Sequence, residues 1–293
     1  MIDHSELTTQ FASLFSGRTD AYGSWEGGCI KENVTISRFM RHLWGQEYIG
    51  IYPMLDDSTV WWGCSDIDVD DIDQARNIQL ALHLKGVTSW VERTVKGFHV
   101  WVFASEPIDA KIMRRALLAV HAVAKVPPKE INPKQEETVG YGNYVRLPYP
   151  GALLEVNQSR YLLDNGDNPM SLESFISEAI LHRVATSDIA PLAQCYVPKK
   201  SITFNSKVDP LAVDVVRTML PPLPLKIFMD GPMQHQDRST TLVNLAHQLR
   251  KNDFSAELCY SIVRMADLRW GKFHTREDGE LHLTKIVEDV YAE

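Results

Sequence analysis

The amino-acid sequence lacks the features that mark membrane-spanning, secreted and zinc-stabilised proteins. No apolar run approaches the roughly 20 residues that a membrane-spanning helix needs. The polar start, Met1 to Glu6, has neither the basic nor the apolar segment of a signal peptide, so we expect a cytoplasmic protein without membrane contact. The cysteines are few and far apart, so we expect neither a disulfide framework nor a zinc site. They are Cys29, Cys64, Cys195 and Cys259.

The sequence also lacks an excess of positive charge, since 30 lysines and arginines stand against 38 aspartates and glutamates, a net charge of −8. Proteins that bind nucleic acid over a broad surface are usually basic, so this composition counts against that class. It leaves open a local basic patch, and bound metal ions would neutralise some of the acids. The length of 293 residues, of which 44% are hydrophobic, suits one large globular domain or a medium domain with a small one.

Between residues 59 and 147 the pattern predicts four strands and two helices. Apolar and β-branched runs alternate with amphipathic stretches that polar caps begin and glycine or proline ends. The order, strand–helix–strand–strand–helix–strand, is that of a split βαβ fold, so we predict an α+β fold with an RRM-like core. The predicted strands are 59–66, 87–94, 98–103 and 144–147, and the predicted helices run from Asp73 to Gly86 and from Asp109 to Lys125.

This predicted topology brings distant polar residues together. In the usual sheet order of the fold, the first and third strands are antiparallel neighbours at the centre, so Asp66 and Asp68 lie beside His99. The fourth strand pairs with the first on its other side, and its approach segment, Glu130 to Gln135, reaches the same edge. Two or three carboxylates and one imidazole therefore converge, an arrangement that suits two divalent metal ions and a nucleoside triphosphate.

An acidic cluster, made of Asp66, Asp68, Asp70, Asp71 and Asp73, follows the first predicted strand. In a strand, Asp66 and Asp68 share a face, and two carboxylates held in this way repel each other unless a cation lies between them. A metal site is the natural interpretation. The alternative is a solvated acidic turn in which Asp73 caps the following helix.

Two further polar groups, His99 and Arg146, are set into predicted apolar strands. His99 follows the turn Lys96–Gly97, where an imidazole and a lysine could face one anion. Arg146 needs a partner, and a phosphate or an acidic residue would serve. Trp101 and Phe103 share the face of His99, and for both we expect packing in the core.

These motifs, in this order, resemble those of the archaeo-eukaryotic primase superfamily, especially the primase-polymerases of phages, plasmids and mobile elements. The resemblance covers the first half of the chain, and the zinc module of many such primases is not evident in the sequence. The matching segments are Phe15–Tyr22, His42–Gly45, Asp66-Ile67-Asp68, Glu92–Trp101, Glu130 before Pro133-Lys134-Gln135, and Gly142–Pro148.

The resemblance implies template-directed nucleotidyl transfer from NTPs or dNTPs by a two-metal mechanism, with Mg²⁺ or Mn²⁺ as cofactor, to prime the replication of a phage or plasmid. It implies that Asp66, Asp68 and Glu130 are the catalytic metal ligands, although Glu136 or Glu137 could stand in for Glu130. It also implies a set of nucleotide-binding residues, in which a threonine hydroxyl replaces the family's serine or the contact is absent. That set is Thr94, Lys96, Gly97, His99, Lys134 and Arg146.

We expect residues 1–200 to form the catalytic domain and residues 201–293 a small all-helical domain, with a linker over 193–210. The resemblance implies a single-stranded DNA template as partner, a replicative helicase in cis or in trans, and the host cytoplasm as location if a phage encodes the chain. The chain could also be a fragment of a larger primase-helicase. The candidate nucleic-acid contacts are basic, and for those in the helical domain a solvated basic rim is the alternative. They are Arg18, Arg238, Lys272 and Arg276.

Two other functions remain open at this stage. A non-catalytic replication initiator could use the same sheet to hold single strands, with Trp101 and Phe103 stacking on bases. A glycosyltransferase could use Asp66 and Asp68 to hold a metal ion and a nucleotide sugar. The glycosyltransferase would have a sheet of parallel strands, whereas the short turn over 95–97 predicts an antiparallel hairpin.

Overall fold

The computed structural model describes residues 4–154, 159–198, 202–233 and 236–292, and the chain divides into two compact units, Met1–Val197 and Pro198–Glu293. Part of the predicted linker, residues 199–201, lies outside the described residues. None of the helices in these ranges is both long and apolar enough to cross a membrane.

The first unit contains six α-helices, one short 3-10 helix (Ala152–Leu154) and nine strands within its described residues. The helices are α1 (His4–Leu14), α2 (Ile36–Leu43), α3 (Ile72–His83), α4 (Ala110–Ala124), α5 (Leu172–Leu181) and α6 (Thr186–Gln194). The strands are β1 (Tyr22–Ser24), β2 (Cys29–Ile30), β3 (Ile49–Ile51), β4 (Thr59–Ile67), β5 (Trp90–Arg93), β6 (Phe98–Asp109), β7 (Glu130–Asn132), β8 (Val145–Arg146) and β9 (Tyr161–Leu163).

Five of these strands form one antiparallel sheet in the order β7-β4-β6-β5-β9. Along the chain its core reads β4-α3-β5-β6-α4-β7, which is the split βαβ order, and β4 and β6 are central neighbours. The predicted α+β fold is therefore confirmed. A smaller antiparallel sheet has the order β2-β1-β3-β8.

The predicted fourth strand of the large sheet was wrong. Residues 144–147 contribute β8 to the smaller sheet, where Gly50 of β3 pairs with Arg146. The neighbour of β4 is instead β7, the segment that we took for the approach to that strand. The apolar alternation of 144–147 fits any half-buried strand, whereas β7 has only three residues and is followed by Pro133, so its sequence carries almost no strand signal.

Hydrophobic side chains cover both faces of the large sheet. On one face Val100 and Val102 pack in a core with residues of α3, α4 and α6. On the other face Trp62, Trp101 and Phe103 pack with residues of α1, α2 and α5. Trp101 and Phe103 are 0% and 1% exposed, so both are core residues and neither presents a ring surface to a nucleic-acid base.

The acidic cluster after β4 ends in a helix cap, but at a different residue from the one predicted. Asp71, not Asp73, is the N-cap of α3, and its side chain accepts a hydrogen bond of 3.1 Å from the backbone N–H of Asp73. Asp109 caps α4 as expected, accepting from the N–H of Lys111. The C-terminal part of the cluster therefore forms a capped helix start, whereas a metal site at Asp66 and Asp68 stays a prediction.

The second unit is helical around its own hydrophobic core. The fully buried Asp267 organises the turn after its fourth helix, because its carboxylate accepts backbone N–H bonds from Lys272, Phe273 and His274. Ser255 caps the same helix, because its hydroxyl oxygen accepts a hydrogen bond from the N–H of Leu258. The helices are α7 (Val213–Met219), α8 (Pro222–Asp230), α9 (Arg238–Lys251), α10 (Ala256–Trp270) and α11 (Gly279–Tyr291).

We predict that His42 makes the stability of the first unit depend on pH. Its ring is buried between the carbonyl of Pro148, 2.9 Å from Nε2, and the N–H of Ile49, and burial lowers the pKa of His42 to about 4. The unfolded chain takes up this proton near pH 6.5, so the free energy of unfolding should fall by up to about 1.4 kcal/mol per pH unit between pH 6.5 and 4.

Urea unfolding at pH 7 and pH 5 measures this contribution when the protein is compared with His42→Gln, whose amide can still donate to Pro148. The free energy of unfolding of the variant should fall less between pH 7 and pH 5 than that of the unchanged protein. An equal loss in both proteins would contradict a neutral, buried His42.

Candidate active site

Four polar side chains form a row across the large sheet. Asp66 of β4 pairs in register with His99 of β6 on one side and with Glu130 of β7 on the other, and His99 pairs with Glu92 of β5. Residues that face each other directly on neighbouring strands share one face of the sheet. The row therefore reads Glu130, Asp66, His99, Glu92, and Asp68 follows immediately after the end of β4.

A cavity of about 660 Å³ lies over this row. It brings together most of the residues that the sequence predicted, and it adds aromatic and amide side chains from the smaller sheet and from β7. The predicted residues in its lining are Asp66, Asp68, Thr94, Lys96, His99, Glu130 and Arg146. The lining within the described ranges does not include Gly97, Lys134 or Arg18.

His99 is held between two carboxylates. Its Nδ1 lies 2.9 Å from Oε2 of Glu92, and its Nε2 lies 3.6 Å from Oδ1 of Asp66. Burial by itself would lower the pKa of His99, but Cys64 and the carboxylates of Glu92 and Asp66 raise it well above the ordinary value. Burial would likewise raise the pKa of Asp66, and the hydrogen bond and charge of His99 lower it.

The three candidate metal ligands each have a local partner in this structure. Asp68 forms an ion pair with Lys129, and Glu130 accepts a hydrogen bond of 2.8 Å from Nδ2 of Asn143. In the described part of the chain no three His, Cys, Asp or Glu side chains are close enough together to hold a metal ion. The three carboxylates would have to exchange these partners and draw closer to do so.

The chemistry of the donors nevertheless fits a hard divalent cation. Asp66, Asp68 and Glu130 line the cavity and can offer only oxygen ligands. Mg²⁺ and Mn²⁺ prefer oxygen ligands. Asn132, two residues after Glu130, also lines the cavity, and its buried Oδ1 accepts no hydrogen bond from the described residues. This oxygen lines the same cavity as the three carboxylates and is free to accept from a ligand or to bind a cation there.

The alternatives for the third acid differ in position. Glu130 lies in register with Asp66 and lines the cavity. Glu136 forms a two-bond ion pair with Arg115, at 2.7 and 2.9 Å, which lowers the pKa of Glu136 through the hydrogen bond. Glu137 is exposed. This geometry favours Glu130 as the third carboxylate.

The turn before His99 is fixed by two hydrogen bonds between Thr94 and Gly97. The N–H of Thr94 donates to the carbonyl of Gly97 at 2.9 Å, and Oγ1 of Thr94 accepts from the N–H of Gly97 at 3.0 Å. Thr94 is buried, whereas Lys96 is exposed at the edge of the cavity. A Cβ atom on Gly97 would lie 2.0 Å from the carbonyl oxygen of Ile67, so the glycine is required for close packing.

Two arginines meet a tryptophan at the smaller sheet. Nη2 of Arg146 donates to the carbonyl of Trp25 at 2.7 Å, and its guanidinium lies 5.2 Å from the centre of the Trp25 ring. The guanidinium of Arg160 lies 5.9 Å from the same ring, and its Nη2 donates to the carbonyl of Arg146 at 3.1 Å. The partner that Arg146 required is therefore a backbone oxygen and a π surface, with the cavity beside it.

Sequence reasoning missed Glu92, Arg160 and Asn132 as members of this site. A signal for Glu92 existed, because a hairpin that turns over 94–97 places residue 92 opposite residue 99. The sequence contained no signal for Arg160, because its position depends on packing between segments that are far apart in the chain. Asn132 was hidden because β7 had no recognisable strand pattern.

The predicted nucleic-acid contacts each have a partner within the protein. Arg18 bonds to Asp20 at 2.8 Å and to Asp56, and its side chain is 11% exposed. In the second unit, Arg238 donates to the carbonyl of Trp270 at the end of α10, Lys272 pairs with Asp237, and Arg276 pairs with Asp278. A role for any of them in binding nucleic acid stays a prediction.

Comparison with known proteins identifies the family. A family model described as "TOTE conflict system, Archaeo-Eukaryotic Primase domain" matches residues 26–184. The chain belongs to this primase family. The matched region contains the whole polar row of this primase domain and ends before the helical second unit. It confirms the resemblance that the ordered motifs indicated.

One solved structure, titled "Crystal structure of primase RepB'", is similar to the primase chain at 11% sequence identity and a TM-score of 0.32. The similarity covers 99% of this chain and 96% of that chain. No curated protein matches.

We predict that Gly97→Ala destabilises the site although it adds only a methyl group. The new Cβ would meet backbone oxygens of Ile67 and Val69, so the turn must shift, at a cost of about 1–3 kcal/mol. Urea unfolding measures this cost against Lys96→Ala, which removes an exposed side chain from the same turn. Equal stability of the glycine variant and the protein would contradict the close approach.

Proposed function

We propose that this chain is a metal-dependent primase-polymerase that transfers nucleotides from NTPs or dNTPs to a strand growing on a single-stranded DNA template. The observation that carries the proposal is the row of Glu130, Asp66, His99 and Glu92 on one sheet face, with Asp68 just after the end of β4 and a cavity above it. The cavity volume is in the range of sites that take a nucleotide-sized ligand.

Asp66, Asp68 and Glu130 would hold Mg²⁺ or Mn²⁺. Two such ions, when bound, supply activation of the attacking 3′ oxygen and stabilisation of the leaving pyrophosphate. The protein's part is to place Asp66 and Glu130 on neighbouring strands, with Asp68 just after the end of β4, so that the three carboxylates lie near one another before the cations bind. Lys129, exposed and paired with Asp68, can move into solvent when a cation takes its place.

The polar groups around the row suit the nucleotide. His99 offers a ring nitrogen at the side of Asp66, while Lys96 and Arg146 provide positive charge at the cavity lining for the triphosphate. Trp25 and Tyr144 line the same cavity and offer aromatic surface. Thr94 uses its hydroxyl oxygen as an acceptor, and the hydroxyl hydrogen remains available to a phosphate.

The two other candidate functions receive no support from the structure. A strand-binding initiator that stacks bases on Trp101 and Phe103 conflicts with the burial of both rings. A glycosyltransferase would require a nucleotide-binding sheet of parallel strands, and every pair in the large sheet is antiparallel. A helicase partner, a phage or plasmid replicon and a cytoplasmic location remain predictions from the resemblance.

We predict that Asp66→Ala with Asp68→Ala abolishes nucleotide incorporation. Loss of two of three carboxylates removes the charge that would hold the cations, while folding should persist because repulsion between acids is relieved. The measurement is labelled-nucleotide incorporation on unprimed single-stranded DNA, with each nucleotide set and with Mg²⁺ or Mn²⁺. Asp70→Ala is the matched control, since Asp70 is in the same acidic cluster but outside the cavity lining. Near-normal incorporation by the double variant would contradict the assignment of Asp66 and Asp68 as metal ligands.

We further propose that residues 1–197 are the catalytic domain and that the helical unit supports initiation more than elongation. Starting a primer requires two free nucleotides and a template to be held together, and the loss of translational and rotational entropy on binding all three is large. Extension requires one nucleotide at a site that the sheet already organises. The separate hydrophobic core of each unit makes this division testable by truncation.

A truncated protein of residues 1–197 should therefore extend primed templates and lose most unprimed synthesis. Circular dichroism and a cooperative thermal transition would establish that it folds. An equal loss of both activities in the folded truncation would point to a general structural role for the helical unit.

A further inference from the structure

A fully buried carboxylate lies directly behind the ring of His99. Glu92 is 0% exposed and receives hydrogen bonds from three side chains. Oε2 accepts from Nε1 of Trp101 at 2.7 Å and lies 2.9 Å from Nδ1 of His99, while Oε1 accepts from Nε of Arg160 at 2.8 Å. The two oxygens thus have separate partners, Oε1 the arginine and Oε2 the imidazole and the indole.

The contact with Glu92 shows which ring nitrogen of His99 carries a hydrogen. A carboxylate paired with Arg160 can only accept, so the 2.9 Å contact requires a hydrogen on Nδ1. Nη2 of Arg160 lies 3.1 Å from both Nδ1 and the carbonyl of Arg146, but it can donate to Nδ1 only if that nitrogen carries no hydrogen, which would set a lone pair of the ring against the carboxylate oxygen 2.9 Å away. Nδ1 is therefore the donor to Glu92, and Nε2 is the nitrogen on the side of Asp66.

We propose that Glu92 is a positioning residue: it fixes the ring of His99 with Nδ1 bound inside the protein and Nε2 directed at the nucleotide in the cavity. This inference rests on the proposed function, because it names how the nucleotide-binding histidine of that site is held. Without an acceptor behind it, the ring could rotate or place its hydrogen on Nε2, and the contact with the nucleotide would change.

The competing explanation is that Glu92 only neutralises Arg160. Both explanations predict some loss of stability when Glu92 is changed, because a buried arginine loses its charge partner. They differ in what happens to His99. A positioning role acts through the histidine, so its effect must vanish when the histidine is absent, whereas a structural ion pair acts whether or not the imidazole is present.

Glu92→Gln distinguishes the two explanations because it replaces only one of the two carboxylate oxygens. Its carbonyl can still accept from Arg160, while its NH₂ group would face Nδ1 of His99 and can only donate there. The variant should therefore disfavour the hydrogen on Nδ1 that the unchanged protein holds there. Long-range ¹⁵N NMR of the histidine rings in the full chain, with His99 assigned by its loss in His99→Gln, reads this directly.

Three outcomes of that NMR experiment are decisive. Hydrogen on Nδ1 of His99 in the unchanged protein, with an Nε2 resonance that shifts on addition of ATP or dATP, supports the proposal. An Nδ1 without hydrogen overturns it, and so does an Nε2 resonance that does not respond to a nucleotide that binds. The measurement uses the unchanged protein, so it stands even if Glu92→Gln fails to fold.

A double-mutant cycle on nucleotide affinity supplies the second test. Fluorescence titration with ATP and dATP, without template, would compare the protein with Glu92→Gln, His99→Ala and the double variant. We expect Glu92→Gln to raise Kd by about tenfold, as for other residues that orient a histidine, and to add nothing in the His99→Ala background. An unchanged Kd, or the same fold-change in both backgrounds, would overturn the positioning role.

Failure of the proposed function would look different. A folded protein that binds neither nucleotide and incorporates none on any template would contradict the primase-polymerase assignment itself. A protein that binds and incorporates nucleotides, yet responds to Glu92→Gln independently of His99, would contradict only the role of Glu92.

Discussion

The pairing register of β4 is the constraint on which the candidate site depends. Asp66 faces His99 on one neighbour and Glu130 on the other only in the observed register. A slip by one residue would exchange Asp66 with Ile67, because successive side chains of a strand point to opposite faces. The slip is opposed by burial on both faces, since Ile67 is in the core with α3, α4 and α6, and Trp62 is in the core with α1, α2 and α5.

This arrangement means that two hydrophobic cores, rather than the polar residues themselves, hold the site together. Asp66, Asp68 and Glu130 repel one another and contribute nothing favourable as a set until cations arrive. Their local partners, His99, Lys129 and Asn143, reduce that cost in this structure. Exposed Lys129 and half-buried Asn143 are partners that a cation can displace, whereas the buried contacts of Glu92 are built to persist.

The order of elements and the central pair of strands could be predicted from the sequence because both rest on local patterns. The meeting of Asp66 and His99 followed from that order, and Glu130 was expected at the same edge as part of the segment leading to the predicted fourth strand. The three residues of β7 could not be recognised, since a strand this short is defined by its neighbour β4 and not by its own composition. Hence 144–147, with a better strand pattern, was assigned in its place.

The sequence also could not show which groups the charged residues pair with in the folded protein. Arg160 joins the row because its guanidinium is buried between Glu92 and the carbonyl of Arg146, which depends on two sheets packing together. Arg18 has the composition of a nucleic-acid contact, yet two nearby carboxylates occupy it. Patterns in a sequence show which residues are charged, but the folded structure decides which charges are already paired.

The net charge of −8 makes this last distinction important for a chain proposed to act on DNA. A polyanion is attracted only where positive charge remains uncompensated over roughly a Debye length, about 10 Å in moderate salt. The acids of the row are the largest local obstacle, and cations bound there would convert the cavity from repelling phosphate to attracting it. Lys96 and Arg146 at the same cavity would add to that attraction. On the proposed function, the binding of template and triphosphate should therefore be coupled to metal binding, whereas a uniformly basic surface would bind both without metal ions.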